Sequence, residues 1–342
     1  MAKDDLRSIP KCELHRHLDG SVRIETIADL AALHNIDLGC SDAELPGVAT
    51  IREPMSNLQE VLDSFAITQK VLCCYDAIKR IAFENVEDAY RDGVRLLELR
   101  FSPPFISEGK EDLGNDEIIE GVLDGIDLGI KKYPLEVGLI GIVSRPYEYQ
   151  INLQATEDLI RYARGNHVRA GRICGFDLAD DELKEAHGEF TQFIDAARSA
   201  GLGITVHTGE NTSADCVRKS MDLYKPDRIG HGIQAWGDET LMNRIKEENI
   251  MLELCPTSNW LTNSVPSIDE HPLPLFYRRG IPFSINSDDP HLMNIDLVHE
   301  YEICVRCYGL HVEDFFRINR ESVLHSFLPE EIRRETLNRF FR

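Results

Sequence analysis

The chain is 342 residues long, 42% apolar and 28% charged, with a formal net charge of −22. This is the composition of a folded globular protein rather than a disordered one, and the length supports a large buried core. The acidic balance argues against binding nucleic acid or an anionic membrane surface, both of which need a basic footprint.

The opening MAKDDLRSIP is polar and carries no apolar run of the kind a secretory signal needs. No uninterrupted apolar stretch approaches the length of a membrane span. Nine cysteines, an odd number in a long chain, fit a reducing, cytoplasmic setting. Cys304 and Cys307 form a lone CxxC among Ile303, Val305 and Tyr308, which reads as helix core rather than a redox or zinc motif.

In chain order, eight short apolar runs appear at 12–17, 95–102, 136–144, 171–179, 203–208, 228–232, 250–256 and 282–289. Each is followed by a polar or glycine-containing stretch and then by a longer helical pattern. Asn115–Lys132 and Asp181–Ala200 repeat apolar residues at helical spacing. Strands alternating with helices predict parallel strands joined by right-handed crossovers. Eight such units predict one (β/α)8 barrel domain over 1–342. A doubly wound sheet is the alternative, but no GxGxxG follows the first run.

The insertion after the first run, about 21–93, holds helical patterns at Ser21–His34 and Leu58–Gly93. Leu58, Val61, Leu62 and Phe65 share one helical face. That face packs on the barrel, covers its mouth as a lid, or does both at its edge.

Polar residues gather at the ends of the runs, and in such a barrel these ends meet at one mouth. His15 and His17 are two apart, so on a strand both imidazoles face the same side. His207 ends the fifth run, and Asp288 ends the eighth, which neighbours the first once the barrel closes. Three imidazoles and a carboxylate suit zinc. Glu210 and His231 are candidate proton-handling partners for a metal-activated water. Each also has a structural reading: Glu210 as a helix-capping carboxylate after a Thr-Gly turn, His231 as a hydrogen-bonded buried histidine. Asp289, beside Asp288, can turn toward the mouth and meet substrate.

These residues lie in stretches that resemble the adenosine deaminase family of the amidohydrolase superfamily. The matching stretches are PKCELHRHLDGSVR (10–23), AIKRIAFENVEDAYRDGVRLLELRFSP (77–103), GFDLADDE (175–182), TVHTGE (205–210), RIGHG (228–232), LELCPTSN (252–259) and SINSDDP (284–290). The resemblance extends to NRESVLHSFLPEE (319–331). It implies one zinc ion per chain on His15, His17, His207 and Asp288, and hydrolytic deamination of adenosine, and of 2′-deoxyadenosine, to inosine and ammonia. It implies that Glu210 protonates N1 of the purine while His231 orients the attacking water and helps take its proton. Asp289 would share a proton with N7. Asp19 would reach the ribose 5′-hydroxyl, with His17 also bordering the substrate. Leu58, Leu62 and Phe65 would form an apolar gate.

One departure stands out. The family pattern D-L-A-G-D-E is here Asp177, Leu178, Ala179, Asp180, Asp181, Glu182. Asp180 replaces a glycine whose backbone N–H donates to N3 of the purine, which bears on nucleoside specificity. The alternatives are therefore a deaminase of a 5′-modified adenosine, such as aminofutalosine or methylthioadenosine, or of free adenine. Adenine-specific relatives tend to read H-I-E-G where this chain reads His17-Leu18-Asp19-Gly20, which favours a nucleoside. A binuclear hydrolase would carry a lysine where Asp177 stands. A catalytically silent scaffold would be expected to lose a ligand, acid or base.

Overall fold

The computed structural model describes residues 3–341 apart from 56, 57, 166–170 and 185–188; the side chains of 58–63 and 189 also lie outside the description. The strands are β1 (Lys11–His17), β2 (Val94–Phe101), β3 (Glu136–Ser144), β4 (Ile173–Ala179), β5 (Gly203–Thr208), β6 (Arg228–His231), β7 (Met251–Leu254) and β8 (Phe283–Ile285). They pair in sequence order, every pair parallel. An isolated bridge from Arg16 to Asp288 joins the last strand's extension to the first. His17 N donates to Asp288 O at 2.9 Å and Asp288 N to His15 O at 3.1 Å. The expected (β/α)8 barrel is the observed one.

Alternation along the strands sorts the two faces. On β2, Leu97, Leu99 and Phe101 pack into the apolar layer between sheet and helices. Leu96 joins a separate apolar floor with Cys12, Leu14, Cys174 and Met251. Above that floor the interior is ionic. Glu98, Arg100, Asp177, Arg228 and Glu253 are all fully buried there.

The helix predicted over Asn115–Lys132 has those bounds. The one expected over Asp181–Ala200 is shorter: 181–184 form a turn and the helix is Glu189–Ser199. In the insertion, Leu58–Gly93 divides into helices Leu58–Val71 and Tyr75–Arg91. Of the four apolar residues assigned to one face of the first, only the Phe65 side chain lies among the described residues; those of Leu58, Val61 and Leu62 lie outside them. All nine cysteines are free, and Cys304 is buried in the helix Leu297–Tyr308. Among the described residues no helix is long and apolar enough to cross a membrane.

Candidate active site

A cavity of about 410 Å³ opens at the C-terminal ends of the strands. His17, His207, His231, Asp288, Asp289, Glu210, Asp19, Asp180 and Phe65 all line it. Residues scattered from 17 to 289 meet there because parallel strands end on one side of the barrel.

The inward aim of His15 and His17 has a local cause. Glu13 pairs with Leu97 and Arg16 with Leu99, so β1 advances three residues where β2 advances two. This bulge reverses the alternation. Below it Cys12 and Leu14 face the interior, and above it His17 pairs with the inward Arg100.

The donor atoms converge. His15 Nε2 and His17 Nε2 are 3.3 Å apart, and each is 3.2 Å from Asp288 Oδ1. The donors of His15, His17 and His207 lie within 4.8 Å of one another, as do those of His15, His231 and Asp288. His15 Nδ1 meets Glu253 Oε2 at 2.8 Å, and His207 Nδ1 meets Asp177 Oδ1 at 3.1 Å. Each contact fixes the ring and turns its Nε2 toward the common point.

Arg100 ties these two supports together, reaching Asp177 Oδ2 at 2.7 Å and Glu253 Oε2 at 2.8 Å. Arg228 holds the other Glu253 oxygen at 2.6 Å. Sequence reasoning missed the role of this lattice. Its signal was present, since Glu98, Arg100 and Glu253 are charges inside otherwise apolar strand runs, where burial demands a partner.

The protonation states follow from this packing. Burial, reinforced by Arg100, lowers the His15 pKa. Burial lowers that of His207 to about 3 despite Asp177. Both imidazoles are therefore neutral, the form that ligates a metal. At Asp288, His15 and His17 outweigh burial and hold the carboxyl far below its usual range. At His17 burial opposes the charged form, but Asp289, Asp288 and Asp19 outweigh it and raise the pKa to about 9. The cluster thus attracts positive charge as well as offering nitrogen and oxygen donors, and it fits a divalent cation such as zinc.

Glu210 is not a helix-capping carboxylate, because the next helix begins at Ala214. Its Oε1 accepts from Asn259 Nδ2 at 3.0 Å and Thr262 Oγ1 at 2.8 Å. Burial and then Asp288 raise its pKa to about 7. Glu182, a residue without an assigned role in the sequence, accepts from the Gly209 N–H at 2.8 Å and the Glu210 N–H at 3.2 Å, fixing this turn. His231 is hydrogen-bonded and buried, and it also faces the cavity. Its Nδ1 lies 3.1 Å from Asn259 Nδ2, with Nε2 directed at Glu210 Oε2 (3.6 Å) and Asp288 Oδ2 (3.8 Å). Because the Asn259 amide donates to Nδ1, the proton of neutral His231 belongs on Nε2.

Asp289 has the opposite character to its neighbour: burial and the Asp288 charge push its carboxyl far above the usual range. Its Oδ1 is buried without a protein partner. Asp180 has φ +74, a conformation that suits glycine. Its own Oδ1 accepts from the Asp181 N–H at 2.8 Å, which eases the strain. His231 (φ 59), Asn263 (φ 59) and Asp288 (φ 61) are also left-handed, placing four such residues at the mouth.

Barrel and mouth together define the class. Adenine deaminase from Arthrobacter aurescens matches with a TM-score of 0.87 at 24% identity, covering 96% of this chain and 97% of that one. The N6-methyl-AMP deaminase of Arabidopsis thaliana matches with a TM-score of 0.86 at 26% identity, covering 99% and 98%. The fold is the TIM-barrel-like amidohydrolase fold of deaminase structures. A family model described as adenosine deaminase matches residues 10–341. The adenosine deaminase of Shewanella loihica is 36% identical over 328 residues, covering 96% of this chain and 97% of its own. That of Yersinia pseudotuberculosis is 35% identical over 339 residues, covering 97% and 98%. The chain belongs to the adenosine deaminase family and is an aminohydrolase of that family.

Proposed function

We propose that the protein deaminates adenosine, and 2′-deoxyadenosine, to inosine and ammonia. One observation carries the choice of an uncharged nucleoside. Among the described residues no lysine or arginine lines the cavity, while Asp19, Asp180, Asp181 and Glu182 do. A 5′-phosphate would enter this wall against like charge with no cation to receive it. This supports an uncharged nucleoside over a nucleoside monophosphate of the kind named for the Arabidopsis neighbour.

In this reading His15, His17, His207 and Asp288 hold one zinc ion. When bound, the ion supplies Lewis-acid activation of a water molecule. Glu210, titrating near 7, delivers its proton to N1, which makes C6 electrophilic. His231 orients the water through Nε2–H, a donor role rather than that of a neutral base. The Glu210 carboxylate, 3.6 Å from that nitrogen, takes the water's proton as oxygen adds to C6. Glu210 passes that proton to the departing amine, which leaves as ammonia, while the C6 hydroxyl gives its proton back to the Glu210 carboxylate, leaving the C6 carbonyl of inosine and restoring the acid. Asp289, held neutral, donates to N7 through its buried carboxyl. Asp19 receives the 5′-hydroxyl and the Asp180 backbone N–H faces N3. Phe65, which lines the cavity, stands at the apolar gate, and the 21–93 insertion that carries it acts as a lid on one barrel domain.

The test compares kcat/KM for adenosine, 2′-deoxyadenosine, adenine, AMP and a 5′-substituted adenosine on zinc-loaded protein. Adenosine and 2′-deoxyadenosine are expected to lead. Preference for AMP, free adenine or the 5′-substituted nucleoside would remove the assignment.

A further inference from the structure

A second group of metal-type donors lies away from the barrel mouth. His34 closes the helix Ile24–His34, and Cys73 and Cys74 form the link between helices Leu58–Val71 and Tyr75–Arg91. Cys74 Sγ is 3.8 Å from His34 Nε2, and the ligand atoms of all three residues lie within 4.8 Å of one another. A tetrahedral zinc ion with its usual bonds to sulfur and nitrogen spaces such donors by roughly 3.5 Å. A small side-chain rotation closes the difference. His34 is exposed and both cysteines are half-buried, so solvent reaches the group. None of the three lines the barrel cavity.

The two thiols are poor partners for each other. Neighbouring Cα atoms are about 3.8 Å apart across a trans peptide, less than the roughly 4.4 Å minimum usual for a disulfide. Both cysteines are free. Two thiols kept from bridging, with an imidazole beside them and an open side, make a soft three-donor set.

We propose that His34, Cys73 and Cys74 form a surface site for a thiophilic divalent cation of the zinc class, held by two thiolate sulfurs and one imidazole nitrogen with water in the fourth position. Each thiol loses its proton to solvent as its sulfur–metal bond forms, so binding is tighter at higher pH. The ion would tie the end of one insertion helix to the root of the helix that carries Phe65.

The test uses protein whose barrel metal is already in place, titrated with Cd²⁺ as the probe. Cadmium–thiolate charge-transfer absorption reports sulfur ligation, which the imidazole and carboxylate donors of the mouth cannot give. One saturable equivalent is expected in the wild type. C73S and C74S should each weaken it by more than about 100-fold, beyond the usual effect of losing an outer-shell partner, and H34N should weaken it too. Circular dichroism checks that each variant is folded, and H34N tests the site with both thiols intact. An equivalent retained in both C73S and C74S, or no thiolate band in the wild type, overturns the proposal.

Discussion

Gly20 lies against Asp289 so closely that a Cβ there would sit 1.8 Å from Oδ1 and 2.5 Å from the Asp289 Cβ. Rotating the carboxylate alone cannot relieve that contact. The turn is also pinned, since Leu292 N donates to Gly20 O at 3.1 Å. Gly20→Ala is therefore expected to displace Asp289 while leaving Asp288 with its histidines. Misplacement of about 1 Å costs on the order of 100-fold in rate. Steady-state kinetics with a metal assay on the same sample should show kcat reduced and bound metal unchanged.

The Glu210 proton gives a pH signature. Its pKa is raised to about 7 by burial and Asp288, so the proton-donating form is lost above that value. Deaminase kcat/KM should fall as the pH rises past about 7. Glu210→Gln keeps the shape but has no proton to deliver, and its rate should drop by roughly 100- to 10,000-fold with the metal retained. A descending limb that persists unchanged in the residual activity of the variant would assign it to another group.

Asp180 is testable as a stability problem. Desolvation of its carboxyl at the cavity mouth is the first cause of its raised pKa, although the residue as a whole is exposed. A carboxyl whose folded pKa exceeds its unfolded value contributes stability at low pH that is lost as the pH rises through the folded value. Asp180→Gly removes that dependence and relieves the left-handed backbone at φ +74. The variant should be more stable than the wild type by about 1 kcal/mol at neutral pH, with the advantage shrinking toward acid. Urea unfolding across the pH range measures it; an advantage that grows toward acid would contradict the sign.

Glu253 joins stability to metal binding. It receives Arg100, Arg228 and His15 at 2.8, 2.6 and 2.8 Å, all fully buried. Glu253→Gln leaves two buried guanidiniums short of a counter-charge, expected to cost about 3–5 kcal/mol. It also weakens the hold on His15, which should reduce metal affinity roughly 10- to 100-fold. Denaturation and competitive chelation read the two effects separately.

Much of this molecule was legible in one dimension. All eight strands fall within a few residues of the apolar runs, because strands buried on both faces read as largely hydrophobic stretches. Seven of the expected mouth residues, His17, His207, Glu210, His231, Asp288, Asp289 and Asp19, line one cavity, and His15 lies beside them, because parallel topology collects strand ends. The position of Asp180 was readable from the family pattern, and its positive φ accounts for the glycine expected there. The Glu210 capping alternative fell because the helix begins later than local sequence implied.

Sequence alone marked which side chains are candidates for the chemistry and that they share one end of a barrel. It did so because hydrophobic period and residue type are local properties. Tertiary structure alone decided how they are aimed. The bulge that turns His15 and His17 inward is a mismatch between two strands whose paired residues lie 83 to 84 positions apart, and neither strand records it. The pKa values of Glu210 and Asp289 belong to burial and to the Asp288 charge, brought near only when β8 closes against β1. Pairing and burial depend on every strand at once, so they exist only in the closed barrel.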